Sequence, residues 1–208
     1  MSGEAKGPFP TYFAPRTDED NGLSAPSVVA MILREPSLVL TQKLDGSSCT
    51  VVVEDGAILD VCSRNQSLRE DSKNGFWHAV KRLNLAQLSD MLPGRVVLQG
   101  ELMGPGVQGN GLKLMEPMLF LFQIRAPDGA WLSYADTKQT AKEIGAEVVP
   151  QISEGPFASV ADIQAIADAQ KLPSGEPAEG VVVRPKKPLA FGDGRPAGFK
   201  IINRNYGE

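Results

Sequence analysis

The dipeptide Asp55-Gly56 lies between two apolar, β-branched runs, Ser47–Val53 and Ala57–Ser63, and constrains the fold of the chain more than any other local feature. An Asp-Gly pair supplies the two positive-φ residues that a two-residue hairpin turn requires. Residues 47–63 are therefore expected to form an antiparallel β-hairpin. With Asp55 and Gly56 as the loop, Val53 falls opposite Ile58, Cys49 opposite Cys62 and Ser47 opposite Arg64. Opposed residues share a face of a sheet, so this register returns Arg64 to the side of the Lys43–Ser47 segment.

The rest of the pattern extends the β reading. Further strands are expected at Ser37–Lys43, Arg95–Leu102, Pro117–Ile124, Gly180–Arg184 and Phe199–Ile202. The continuous apolar run of Pro117–Ile124 marks a central strand. Asn74–Leu85, Asp136–Gly145 and Ser159–Lys171 have helical spacing, the last two starting near a capping Asp or Ser. Val28–Leu33, after Ala25-Pro26-Ser27, reads equally as a short helix or a strand. Residues 1–25 are rich in Pro, Gly, Asp and Glu without either period and read as a leader or linker. Residues 26–208 then form one domain of the α+β class, two antiparallel sheets with flanking helices.

Composition removes several function classes. Apolar residues make up 42% of the 208 and charged residues 22%, as in a folded globular chain. The longest apolar runs, 28–33 and 118–122, are too short to span a bilayer, and the first residues lack the apolar core of a secretory signal. Two cysteines make neither a disulfide scaffold nor a four-ligand zinc site, and read as buried thiols in a cytoplasmic protein. The net charge of -4 conceals a local asymmetry. Arg184, Lys186, Lys187, Arg195, Lys200 and Arg204 face the single acid Asp193 over residues 184–204, a basic tract on an acidic body that reads as an anion site.

The residues able to carry chemistry begin with Lys43-Leu44-Asp45-Gly46. A strand presents Lys43 and then Asp45 on one side, and Gly46 lets the backbone approach a ligand closely. A lysine nucleophile is activated by burial or neighbouring positive charge, including a bound metal. Glu101 ends an apolar strand before the glycine-dense loop 104–111, and Glu179 precedes the strand Gly180–Arg184. Together these residues supply one nucleophile, three carboxylates for a divalent cation, and Arg64, Arg184 and Lys200 for phosphates. Such a set suits attack on a nucleoside triphosphate. His78, the only histidine, reads as an ordinary helix residue, and Phe76 and Trp77 as core packing. The loop 104–111 is not followed by Gly-Lys-Ser/Thr and is no phosphate-binding loop of the Walker type.

The ordered segments Lys43-Leu-Asp-Gly, Gly100-Glu-Leu-Met-Gly-Pro-Gly-Val-Gln-Gly-Asn, Phe120-Leu-Phe-Gln-Ile, Glu179-Gly-Val-Val-Val-Arg184 and Phe199-Lys-Ile-Ile-Asn resemble motifs I, III, IIIa, IV and V of the covalent nucleotidyltransferases. With Ser63-Arg64-Asn65, they are most similar to ATP-dependent RNA ligases of the double-strand-sealing branch typified by phage RNA ligase 2. The resemblance implies the adenylation-domain fold, with the nucleotide in the cleft between two sheets. It implies that Lys43 attacks ATP and holds AMP as a lysyl phosphoramide, with Asp45, Glu101 and Glu179 holding Mg²⁺ or Mn²⁺ largely through water. It further implies that Gln42, Arg64, Glu101, Phe122, Glu179 and Lys200 bind the nucleotide, Phe122 by stacking on adenine. Ser48, Arg184 and Lys186 would contact phosphate or RNA. The partners implied are RNA 5′-phosphate and 3′-OH ends, in duplex or nicked form, and the setting RNA repair.

The chain departs from the pattern at Ile202, where the phage-type enzymes carry a second motif V lysine. Lys186, Lys187 or Arg204 could supply that charge. No OB-fold or helical accessory domain of the kind relatives carry is read in the sequence. The rival readings are a DNA ligase or capping guanylyltransferase core of the same fold, and a catalytically silent nucleotide- or RNA-end-binding module.

Overall fold

The computed structural model describes residues 5–71 and 73–207. The expected leader therefore falls outside the described residues only at 1–4, and the expected domain only at Ser72 and Glu208. In chain order the elements are β1 (Ala5–Pro8), β2 (Asp20–Asn21), α1 (Pro26–Ile32), β3 (Leu38–Lys43), β4 (Ser47–Glu54), β5 (Ala57–Cys62), β6 (Gln66–Leu68), α2 (Gly75–Lys81), α3 (Gln87–Met91), β7 (Arg95–Met103), β8 (Met118–Arg125), α4 (Tyr134–Ile144), β9 (Glu147–Val148), β10 (Gln151–Gly155), α5 (Val160–Ala169), β11 (Gly180–Pro185) and β12 (Phe199–Ile202). They build a seven-stranded sheet, ordered β1-β6-β5-β4-β7-β8-β9, and a five-stranded sheet, ordered β10-β3-β11-β12-β2.

The α+β class holds, with one correction. Both sheets are mixed rather than purely antiparallel, because the short edge strands β9 and β2 run parallel to β8 and β12. Two-residue edge strands carry no alternation for a sequence pattern to register. The two-residue strand at 20–21 escapes the reading of 1–25 as a leader for the same reason, and the four-residue strand at 5–8, Ala-Lys-Gly-Pro, carries no apolar β pattern to register. β1 pairs with β6 in the large sheet and β2 with β12 in the small one, so this segment connects the two sheets.

The small sheet shows how alternation sorts side chains. Leu38 and Leu40 of β3, Val181 and Val183 of β11, and Phe199 and Ile201 of β12 pack against Val29 and Ile32 of α1 and Ile163 and Ala167 of α5. Each such burial stabilises by roughly 1.5–3 kcal/mol. The intervening residues must face the other way. Thr41, Val182 and Lys200, consecutive partners across β3, β11 and β12, line the cleft between the sheets. On the large sheet, Val51, Val53, Leu98, Leu121 and Ile124 pack under Trp77 and Val80 of α2, Leu88 of α3, and Ala141 and Ile144 of α4. Leu44, Met103 and Val149 form a smaller apolar cluster with the partly buried Phe122 and Tyr134.

The helices start where a side chain can satisfy free backbone N–H groups. The hydroxyl of Ser133 accepts from the Asp136 N–H at α4, and that of Ser159 from the Asp162 N–H at α5. The Asn74 side chain accepts from the Phe76 N–H at α2. Residues 26–32 resolve as helix, with Pro26 in the first turn.

The β4–β5 hairpin forms at Asp55-Gly56, both at positive φ. Val53 lies opposite Ile58 as expected, but a bulge follows. Leu59 is the extra residue, and beyond it Thr50, not Cys49, lies opposite Cys62. Cys49 and Cys62 are both buried free thiols. Burial raises both thiol pKa values, that of Cys62 to about 12.

At the start of β11 the backbone of Gly180 adopts φ 151°, and a Cβ there would lie 2.1 Å from the Ile201 carbonyl oxygen. We expect Gly180→Ala to lower the unfolding free energy by about 2–4 kcal/mol, through steric conflict with a backbone atom in the centre of the small sheet. Urea denaturation of the two proteins checks this.

Candidate active site

The cleft between the sheets has a volume of about 620 Å³. Lys43 enters it from the last position of β3. The chain then crosses to the large sheet in three residues, Leu44-Asp45-Gly46, and β4 begins at Ser47. A Cβ on Gly46 would come within 2.3 Å of the Leu102 carbonyl oxygen and 2.5 Å of Met103 Sδ, so the crossing admits only glycine. The Gly46 N–H donates to Glu101 Oε1 at 3.1 Å. One turn thus brings Lys43 beside the Glu101 carboxylate.

Glu179 immediately precedes β11, whose Gly180 pairs with Lys43 across the sheet. Its Oε1 lies 2.6 Å from Lys43 Nζ. Its Oε2 is buried and has no hydrogen-bond partner among the described residues. Burial raises the Glu179 pKa despite the opposing charge of Lys43. Burial also drives Glu101 up to about 8, with Lys43 opposing and the charge of Glu19 adding to the rise. Asp45 accepts a short hydrogen bond from the Tyr206 hydroxyl. That contact and burial of the ring hold the phenol well above its ordinary range.

Phe122 reaches the cleft through a second irregularity. Gln99 pairs with Gln123 and Gly100 with Leu121, which leaves Phe122 as the extra residue of a β7–β8 bulge. Bulges re-aim side chains, and here the phenyl ring lines the cleft. Ser48 and Glu101 are direct partners across β4 and β7 and both line it.

Ten of the eleven site residues expected from the sequence share this cleft: Gln42, Lys43, Asp45, Ser48, Arg64, Glu101, Phe122, Glu179, Arg184 and Lys200. Lys186 does not. Its ammonium pairs with Glu154 at an exposed position outside the cleft. Arg64 arrives even though the bulge shifts the expected hairpin register. Phe76, expected only in the core, packs against the large-sheet core and lines the cleft as well.

The sequence reading missed the segment between β1 and β2. Thr17, Asp18 and Glu19 line the cleft and engage three expected site residues. The Thr17 and Ser48 hydroxyls form a short hydrogen bond, Asp18 pairs with Arg64, and Glu19 pairs with Arg184 at 2.6 Å. The acidic run Thr17-Asp-Glu-Asp20 was the available signal. Tyr206 left none, since its partner Asp45 is 161 positions away.

Among the described residues no three His, Cys, Asp or Glu side chains converge closely enough to hold a metal directly. Asp45, Glu101 and Glu179 nevertheless border one cleft, and Glu179 Oε2 is an unpartnered anionic acceptor. Oxygen donors held apart in this way fit a hydrated hard cation bound through its waters. No helix among the described residues is long and apolar enough to cross a membrane.

Residues 36–202 match the family described as RNA ligase. The chain belongs to the RNA ligase family. Among solved structures, the RNA ligase of Naegleria gruberi shares the fold. Its complex with PPi gives a TM-score of 0.80 at 31% identity over 98% of this chain and 59% of that chain. A variant with AMP and Mn gives 0.80 at 30% identity over 98% and 60%. Another variant, with ATP and Mn, gives 0.82 at 31% identity over 99% and 60%. This chain thus spans about three-fifths of the length of those proteins. No match was found among the curated proteins.

Folding raises the Glu101 pKa from 4.5 to about 8, so the folded chain keeps a proton that the unfolded chain releases over that window. The stability linked to this site is complete below pH 4.5 and lost as pH rises through 8. Glu101→Gln mimics the protonated form. Without added metal, its stability should exceed that of the parent by about 1 kcal/mol or more at pH 8, with the gap closing at pH 5. A gap independent of pH would place the titration elsewhere.

Proposed function

We propose that this chain is the adenylyltransferase core of an ATP-dependent RNA ligase, with Lys43 as the covalent nucleophile. The observation that carries the reading is the convergence of Lys43, Glu101 and Glu179 in one cleft with Lys200, Arg64 and Phe122. The structures of the Naegleria RNA ligase with ATP, AMP, PPi and Mn support ATP as the nucleotide and a divalent metal as the cofactor.

In this reading Lys43 Nζ attacks the α-phosphorus of ATP in line with the departing pyrophosphate. A P–N bond forms, the α–β P–O bond breaks, and AMP stays on the lysine. The nitrogen must lose a proton, and Glu179 Oε1, 2.6 Å away, is the nearest carboxylate able to accept it. Phe122 receives the adenine by stacking, with Gln42 bordering the same end. Lys200 lies beside Val182 on the cleft-facing row of the small sheet and offers its charge to phosphate. Arg64 pairs with Asp18 at an exposed position, where water weakens the pair and a phosphate can compete for the guanidinium. Ser48 offers a hydroxyl to the same end. Asp45, Glu101 and Glu179 would hold Mg²⁺ or Mn²⁺, largely through water. When bound, the metal neutralises charge on the triphosphate as pyrophosphate leaves.

The second half of the reaction transfers AMP to an RNA 5′-phosphate, after which a 3′-OH displaces it to seal the strand. RNA 5′-phosphate and 3′-OH ends are the substrates the family implies, and their presentation in duplex or nicked RNA is part of this proposal. Lys186, paired with Glu154 outside the cleft, would serve RNA rather than nucleotide.

Intact-protein mass after incubation with ATP and Mg²⁺ should show one added AMP, absent with GTP. Lys43→Ala should abolish the adduct while leaving the circular dichroism spectrum unchanged, and an adduct that persists would move the nucleophile elsewhere. Glu179→Gln should slow adduct formation by about 10²-fold or more, with partial recovery at high Mn²⁺. Loss through unfolding would contradict its assigned role.

A further inference from the structure

We propose that Glu19 is a positioning residue for the base end of this pocket, holding Arg184 over the ring of Phe122 to build the platform on which the purine stacks. The inference rests on the nucleotide reading above, and it moves Arg184 from the phosphate end of the site to the base end.

Alternation along β11 puts Arg184 on the cleft-facing row with Val182, opposite Val39 of β3. Its Nη2 donates to Glu19 Oε1 at 2.6 Å, and the two side chains are only 16% and 19% exposed. The guanidinium carbon stands 5.5 Å from the centroid of Phe122, the bulged residue of β8. Arg184 Nε is buried without a partner among the described residues. Three elements distant in sequence therefore meet at one wall: the segment before β2, the end of β11 and the bulge of β8.

The chemistry of that wall differs from that of Arg64. Arg64 and Asp18 are 60% and 50% exposed, so water screens their pair and an incoming phosphate can replace the carboxylate. Arg184 is held where charges are poorly screened, and its counter-ion is already in place. A phosphate beside it would also meet Glu19, and that repulsion is strong in a low-dielectric wall. The flat π-surface of the guanidinium remains available. Guanidinium planes lie on aromatic faces, and a purine is the aromatic face this pocket would receive. Glu19 supplies the restraint, since without it a long side chain would lose its fixed plane.

Binding of ATP and of inorganic tripolyphosphate, measured by calorimetry, separates the two ends of the pocket. Measurements are made on the full chain carrying Lys43→Ala, so that no adduct forms. Adding Glu19→Gln or Arg184→Lys should weaken ATP binding about tenfold, while tripolyphosphate binding stays within about twofold. Arg184→Lys keeps the ion-pair partner of Glu19 and loses only the plane, so it decides the matter if Glu19→Gln fails to fold. Equal weakening of both ligands in Arg184→Lys would return Arg184 to the phosphates and overturn the proposal. Unchanged ATP binding in either folded variant would overturn it too. The adduct assay on the chain with its native lysine tests the ligase reading separately, and this binding comparison needs no chemistry.

Discussion

The three-residue crossing from β3 to β4 is the constraint on which the site depends. Lys43 closes a strand of the small sheet and Ser47 opens a strand of the large one, so the proposed nucleophile stands where the two layers meet. The crossing works because Gly46 passes against the Leu102 carbonyl and Met103 sulfur with no room for a side chain, and because its N–H reaches the Glu101 carboxylate. The motif Lys-x-Asp-Gly thereby acquires a mechanical meaning beyond its residue types. The lysine and aspartate are the two ends of a bridge, and the glycine is the point where the bridge touches the opposite bank.

Electrostatics around that bridge are arranged against the resting molecule. Two carboxyl groups, Glu101 and Glu179, are buried enough that desolvation outweighs the nearby ammonium of Lys43, and one oxygen of Glu179 is left without a partner. Burying anionic groups in this state opposes folding. Under the proposed function, a cation and a highly charged substrate would each relieve a conflict already present in the protein.

Much of this was legible in the sequence, and the failures have physical causes. Short apolar, β-branched runs identified β3, β7, β11 and β12, because their inward faces are bulky and aliphatic. Alternation put Lys43 and Asp45 on one side, while Arg184 and Lys200 were singled out by the basic tract over 184–204. The Asp55-Gly56 turn was readable, but the register beyond it was not. Leu59 sits in a bulge, and nothing distinguishes a bulged leucine from a paired one before the neighbouring strand is known. Phe122 was reached by resemblance to other nucleotidyltransferases, and the bulge that turns it into the cleft was invisible for the same reason. Lys186 was grouped with Arg184 by proximity in sequence. The strand ends at Pro185, so the next side chain is released from the alternation and finds Glu154 instead. The segment before β2 lacked any period because its role is to span between sheets rather than to belong to one.

That span has a mechanical consequence. β1 is stitched to the rim of the seven-stranded layer and β2 to the rim of the five-stranded layer, with the intervening backbone fastened by Gln99 at Pro15 and by Arg125 at Phe13. Among the described residues the two sheets are therefore joined three times, at the crossing beside Lys43, at Val149-Pro150 between β9 and β10, and along this outer cord. Three moorings on a pair of plates leave little freedom to gape or twist, so the width of the gap between them is set before any guest arrives. Whatever motion turnover demands must come from side chains and surface loops, not from the layers parting.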